Sequence, residues 1–151
     1  MRKKSILMIS SGLGTGYSPV APGTFGTLLA SILYLLILPQ NIYAYFAILI
    51  ILGFTAVFVS AEADKLYESD DNPRIVIDEI VGLWVTMALL PKSIELAVIG
   101  FVLFRFFDVI KPLYIRQIQK LNGGWGIVAD DVLAGIYSNI ILQVLVRTLL
   151  K

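Results

Sequence analysis

Two pairs of adjacent acids could do chemistry: Asp78 with Glu79, and Asp130 with Asp131. Each pair stands at the head of an apolar stretch, and a glycine follows a few places on, Gly82 and Gly135. A single acid there would serve as a helix cap or complement the helix dipole. Two adjacent acids repel each other, and a carboxylate deep in hydrocarbon costs about 2.5–3.5 kcal/mol on insertion scales. A hard divalent cation takes oxygen ligands and offsets both costs. The expectation is that at least one member of each pair, from Asp78, Glu79, Asp130 and Asp131, ligates a metal, with Mg²⁺ as the ion.

A second group is Arg105, Asp108 and Lys111, spaced by three, which places them along one helix face. Pro112 should close that helix. Two readings fit. Arg105 snorkels out of the apolar Phe101–Phe107 stretch and pairs with Asp108, or it is a cation placed to hold a phosphate oxygen while Asp108 orients it or binds metal.

The third group is the run from Gly12 to Thr24, with Gly12, Gly14 and Gly16 at alternate positions and Pro22–Gly23–Thr24 leading into a helix. Glycines permit positive φ and close backbone approach, and a helix start favours anions. The run reads as a phosphate cradle, or as a plain entry loop with Thr24 as N-cap.

The chain contains neither cysteine nor histidine. That excludes thiolate nucleophiles, phosphohistidine intermediates, disulfides and zinc sites built on Cys or His. No Asp-x-Asp pair occurs, which argues against aspartyl phosphatases of the haloacid-dehalogenase pattern. What remains is metal-assisted hydrolysis of a phosphate ester, with attack by water and attack by a carboxylate both open.

These residues need a scaffold, and the composition indicates which. The 151 residues are 58% hydrophobic and 15% charged, and mean hydropathy is +0.84, against about 25% charged in ordinary soluble domains. The net charge of +1 gives no reason to expect nucleic acid. Five apolar stretches, roughly Thr24–Leu38, Tyr43–Ser60, Ile80–Leu90, Ile94–Phe107 and Val132–Leu150, predict an all-α, polytopic membrane bundle of about five spans in a single domain, 1–151. The third stretch is expected to start near Ile75 and to pair with the fourth as a hairpin about Pro91. The third and fourth stretches fall short of the roughly 17–25 residues a span needs, and there a soluble helical bundle competes.

Lys and Arg favour one side of this topology: Arg2, Lys3, Lys4, Lys65, Arg74, Lys111, Arg116 and Lys120, against Lys92, Arg147 and Lys151. The positive-inside rule makes that side cytoplasmic. The segments Ser10–Thr24, Glu62–Glu79 and Arg105–Asp131 then all fall on the cytoplasmic face, where loops carry function. Leu113–Leu121 reads as an interfacial amphipathic helix, followed by a flexible Gly123–Gly126 loop anchored by Trp125. Glu62, Asp64, Glu68, Asp70 and Asp71 read as a solvated loop, with Glu62 and Asp64 near enough to the second span to join the site.

The run Gly14–Thr24, Ile77–Asp78–Glu79 with Gly82, Phe104–Arg105 with Asp108, Lys111 and Pro112, and Gly124–Gly126 with Asp130, Asp131, Ala134 and Gly135 together resemble the phosphatidylglycerophosphatase A family. Four motifs in order, from about Gly12 to Gly135, carry the resemblance. It implies a bacterial inner-membrane, multi-pass enzyme that hydrolyses phosphatidylglycerophosphate to phosphatidylglycerol and inorganic phosphate, using Mg²⁺. It further implies that Asp78, Glu79, Asp130 and Asp131 belong to the site, with Arg105, Asp108 and Lys111 nearby. Together with the reading of the residues, this makes Glu79, Asp108 and Asp131 the expected catalytic residues and Thr24, Arg105 and Lys111 the expected substrate-binding ones. Two other classes compete: a cation-conducting or transporting protein, which would place its acids near mid-bilayer, and a non-catalytic helical lipid-binding protein.

Overall fold

The computed structural model describes residues 3–69 and 71–149. Arg2, Asp70, Leu150 and Lys151, which entered the sequence expectations, lie outside the described residues. Among those described there are seven α-helices, a 3-10 turn at Thr15–Tyr17 and no strand. The helices are α1 (Lys3–Ser10), α2 (Pro22–Leu36), α3 (Ile42–Tyr67), α4 (Ile77–Thr86), α5 (Ile94–Ile110), α6 (Ile115–Ile118) and α7 (Gly124–Leu149).

Local chemistry sets most boundaries. Pro22 occupies the first turn of α2, where its missing N–H costs nothing. The Asn41 side chain accepts from the Ala44 N–H to start α3, and Ser93 accepts from Leu96 N–H to start α5. Glu68 ends α3 and Lys111 ends α5, both in the left-handed conformation. Pro112 then prevents α5 from continuing.

The central element is α4. Eight of its ten residues are buried, so it is enclosed rather than amphipathic, and it packs on α2, α3, α5 and α7. Trp84 Nε1 donates to the Ala30 carbonyl at 3.0 Å, and Tyr45 Oη donates to the Trp84 carbonyl at 2.5 Å. The α4–α7 crossing is close because both helices place glycine there. A Cβ on Gly82 would stand 2.8 Å from the Asp131 carbonyl oxygen, and one on Gly135 would overlap the Gly82 carbonyl oxygen.

Among the described residues, only α3 and α7 are long and apolar enough to cross a membrane, so the expected five spans reduce to two candidates by length. The third stretch does not run from near Ile75 to Leu90. Its helix ends at Thr86, and at 1.5 Å per residue it covers about half of a ~30 Å hydrocarbon core. Leu89 takes a positive φ of 62°. The turn there is held by amides of α7: Asn139 Nδ2 donates to the Thr86 and Ala88 carbonyls, both at 2.8 Å, and Gln143 Nε2 donates to the Ala88 carbonyl at 3.3 Å. Exposed apolar side chains ring the bundle on α2 (Phe25, Leu28, Ile32), α3 (Ile51, Phe54, Phe58), α5 (Val98, Val102, Phe106) and α7 (Ile136, Ile140, Val144).

Three further local expectations change. Helix α7 begins at Gly124, not at Val132. The cost of glycine in a helix, about 1 kcal/mol each, is overridden by packing on α3 and α6. Residues 113–121 form only the single turn α6, flanked by turns, with Leu113 at positive φ. Glu62 and Asp64 lie on α3 rather than in a loop.

Candidate active site

The helix termini gather the chemistry at one end of the bundle. The start of α4 supplies Asp78 and Glu79, two turns into α7 come Asp130 and Asp131, and the last turns of α5 supply Arg105 and Asp108, with Lys111 as C-cap. The start of α2 completes this end. A Cβ on Gly23 would overlap Glu79 Oε1 and stand 3.0 Å from Arg105 Nη1. Glycine there lets the α2 backbone reach both side chains.

Asp78, Glu79 and Asp131 each bring one carboxylate oxygen to within 4.8 Å of the others. Asp78 and Asp131 are 7% and 3% exposed. Asp78 Oδ1, Glu79 Oε2 and Asp131 Oδ2 are buried with no hydrogen-bond partner among the described residues. Three orphaned carboxylate oxygens in one place would be a large uncompensated cost. They match the hard-oxygen donor set of a divalent cation such as Mg²⁺.

The electrostatics agree. Helix α4 is too short to span a membrane, yet its acids are shielded from water. Burial, reinforced by Glu79 and Asp131, pushes the Asp78 carboxyl well above the usual carboxylate range. Burial pushes Glu79 up to about 7, despite a hydrogen bond from Asp78 and the Arg105 charge. Burial thus disfavours the charged form of both acids, and a cation would favour it.

Asp130 is placed differently. Its Oδ2 accepts from Lys111 Nζ at 2.5 Å, and it stands outside the three-acid cluster. Burial disfavours the Lys111 ammonium, but the bond to Asp130 outweighs burial and its pKa is raised. Of the two acids in this pair, Asp131 faces the cluster and Asp130 anchors α5 to α7. Arg105 Nη1 donates to Asp108 Oδ2 and lies 3.7 Å from Glu79 Oε1. The Arg105–Asp108 pair expected from spacing is therefore present, and it stands beside the acids.

The first loop divides. Gly12 and Gly14 take positive φ. The loop packs on the approach to α4, with Val76 N–H donating to the Ser10 carbonyl at 2.9 Å and Gly16 against the Arg74 backbone. Of this run it is Gly23 that abuts the site residues Glu79 and Arg105. Thr24 lies inside the first turn of α2, and Ala21, at φ 46°, is the N-cap. Thr24 therefore does not cap α2. Glu62 pairs with Lys65 at 2.5 Å, and Asp64 accepts from the Asp71 and Asn72 N–H groups at 2.9 and 3.1 Å. The first pair stays within α3, and only Asp64 holds the α3–α4 connection.

Asn139 and Gln143 went unread in the sequence. Their signal was two amides within an apolar stretch, where buried polar groups require partners. The stack of Arg74 over the Tyr17 and Tyr67 rings, at 5.7 and 5.6 Å, had no sequence signal, because Tyr17 comes from a loop 50 residues before Tyr67.

The sequence profile of the family described as Phosphatidylglycerophosphatase A matches residues 8–146. A protein of Escherichia coli strain K12 named Phosphatidylglycerophosphatase A is 36% identical, over 87% of this chain and 77% of its own. One of the same name from Haemophilus influenzae is 35% identical, over 94% and 91%. A Bacteroides thetaiotaomicron protein, provisionally named a phosphatidylinositol-3-phosphatase, is 36% identical, over 95% and 96%. No solved structure matches the chain.

Proposed function

The chain belongs to the phosphatidylglycerophosphatase A family and is a phosphatase of phosphate monoesters, and from that premise we propose that it hydrolyses phosphatidylglycerophosphate to phosphatidylglycerol and inorganic phosphate with Mg²⁺. The observation that carries the metal is the convergence of unpartnered oxygens on Asp78, Glu79 and Asp131.

These three residues would hold the ion. When bound, it supplies charge neutralisation and Lewis-acid polarisation of the phosphoryl group. Arg105 has five N–H donors, and with Asp108 engaging Nη1 the rest of the fork is available to a phosphate oxygen. Asp108 fixes the plane of that guanidinium. The start of α2 at Gly23, with its dipole and close approach, favours the same anion. Lys111 adds positive charge nearby while compensating Asp130. Of the three acids, Glu79 is the one that also faces Arg105, so its carboxylate is the one suited to exchange a proton with the attacking or leaving oxygen.

A lipid substrate fits the scaffold. Helices α3 and α7 would cross the inner membrane, with α2 and α5 beside them and α4 enclosed, which makes the protein multi-pass. Lys65, Arg74, Lys111, Arg116 and Lys120 belong to the end that carries the acids, and Lys92 and Arg147 to the other, so the positive-inside rule turns the site toward the cytoplasm. The acids gather at helix ends rather than mid-helix, which speaks against a conduction path.

The test is phosphate release by detergent-purified protein from phosphatidylglycerophosphate and, separately, from phosphatidylinositol 3-phosphate, each with Mg²⁺ and with a chelator. Release from the first that the chelator abolishes is the expected result. Preference for the inositol lipid would overturn the head group, and undiminished release in chelator would overturn the metal.

A further inference from the structure

The bundle carries a groove of about 250 Å³ between α2 and α5. Leu28, Ile32 and Leu35 of α2 and Ile94, Val98 and Phe101 of α5 line it. The one hydroxyl in the wall, on Ser31, is turned back to the Thr27 carbonyl at 3.0 Å, so the lining is apolar throughout. The two helices run antiparallel here, since Leu35 and Ile94 share the groove while Gly23 and Arg105 meet at the site. Phe101 lies one helical turn from Arg105, and Leu28 little more than a turn from Gly23. The groove therefore descends directly from the cation and helix start that face the acid cluster. Ile94 to Phe101 covers roughly 10 Å, against a leaflet depth of about 15 Å, half the hydrocarbon core.

We propose that this groove seats an acyl chain of the phosphate-bearing lipid substrate, so that the chain guides the phosphate onto Arg105 and the acids. The proposal rests on the lipid-phosphatase reading above and adds to it the part of the lipid that the protein recognises. A diacyl phosphate lipid has one charged end and an apolar tail directly beneath it, which is the order of Arg105 and groove along α5. The comparable groove between α3 and α7, of about 260 Å³, ends instead at the Phe54 and Trp125 rings, in contact at 6.2 Å. Neither lining contains a cation, and what sets the α2–α5 groove apart is Arg105, one turn beyond Phe101 on the same helix.

The test uses the full chain in detergent with two photoreactive probes, a phosphatidate and a diacylglycerol, each carrying a diazirine midway along one acyl chain. Cross-linked peptides are mapped by mass spectrometry. The phosphatidate is expected to label α2 and α5 around Ile32 and Val98 about tenfold more than the diacylglycerol does, because the two share the same chains and only the phosphatidate carries the phosphate that Arg105 would hold. Val98 is exposed, so Val98→Trp fills the groove without disturbing the core, and this label should fall while the fold persists. Equal labelling by the two probes, or phosphatidate label concentrated on α3 and α7, would overturn the proposal. Cross-linking needs no turnover. Labelling of the groove without phosphate release upholds it and sinks the activity, whereas release without groove labelling sinks the groove and upholds the activity.

Discussion

Lys111 Nζ lies 2.5 Å from Asp130 Oδ2 and ties the C-cap of α5 to the second turn of α7. Asp130 is 2% exposed, so the pair balances a buried charge, and that acid stands apart from the group formed by Asp78, Glu79 and Asp131. Lys111→Met should destabilise the protein by about 3 kcal/mol, the usual cost of leaving one partner of a buried pair alone. The double variant Lys111→Met, Asp130→Leu should recover most of that stability in thermal melts. Failure of the double variant to recover would show that Lys111 does not act through Asp130.

The two members of the second acid pair should separate in activity. Asp131→Asn removes a ligand from the three-acid cluster and should lower phosphate release by more than about a hundredfold. Asp130→Asn keeps its size and a hydrogen bond to Lys111, and should lose no more than about tenfold. Equal losses in steady-state kinetics would return Asp130 to the metal site.

Stability and pH are linked through the same acids. Glu79 is raised to about 7 and Asp78 is raised as well. An acid whose pKa is higher folded than unfolded binds its proton more tightly when folded, so its contribution weakens as pH climbs from the unfolded value toward the folded one. In chelator, the melting temperature should therefore fall between about pH 5 and pH 8. Cation binding displaces those protons, so the stabilisation by Mg²⁺ should grow over the same range. A Mg²⁺ effect on melting that is flat with pH would count against ligation by these groups.

The α4–α7 crossing tolerates no side chain at Gly135, where a Cβ would overlap the Gly82 carbonyl oxygen. Gly135→Val should separate the helices and pull Asp131 from Asp78 and Glu79. Mg²⁺-dependent protection against heat should be lost together with activity. Retained protection would mean that the crossing is not what assembles the cluster.

Asn139 holds the carbonyls of Thr86 and Ala88 at the end of α4. Asn139→Leu removes the amide from the Thr86 carbonyl and leaves the Ala88 carbonyl only Gln143, and should cost about 1–3 kcal/mol. It lies far from the acids along α7, so turnover measured well below the melting temperature should change little. A large loss of turnover would assign Asn139 a role in the site.

Composition and breakers were legible in the chain by itself, whereas the caps were not: Thr24 does not cap α2. The helical class follows from long apolar stretches without strand alternation, and the end of α5 from Pro112. The Arg105–Asp108 pair follows from a spacing of three, because neighbours on one helix face are set by helix periodicity alone. The acids announced themselves for a similar local reason: adjacent carboxylates beside apolar sequence are costly wherever they fold. Tertiary structure decided the rest. Asp131 belongs to the cluster and Asp130 to Lys111 because consecutive residues on α7 point about 100° apart, and only the packing of α4 and α5 selects which direction faces Asp78 and Glu79. Helix α4 stops at Thr86 because amides from α7, some fifty residues on, hold its end. Gly23 matters because Glu79 and Arg105 arrive from two other helices to occupy the space of its missing side chain. Contacts between residues so far apart in the chain depend on how helices cross, and one-dimensional spacing carries no record of that.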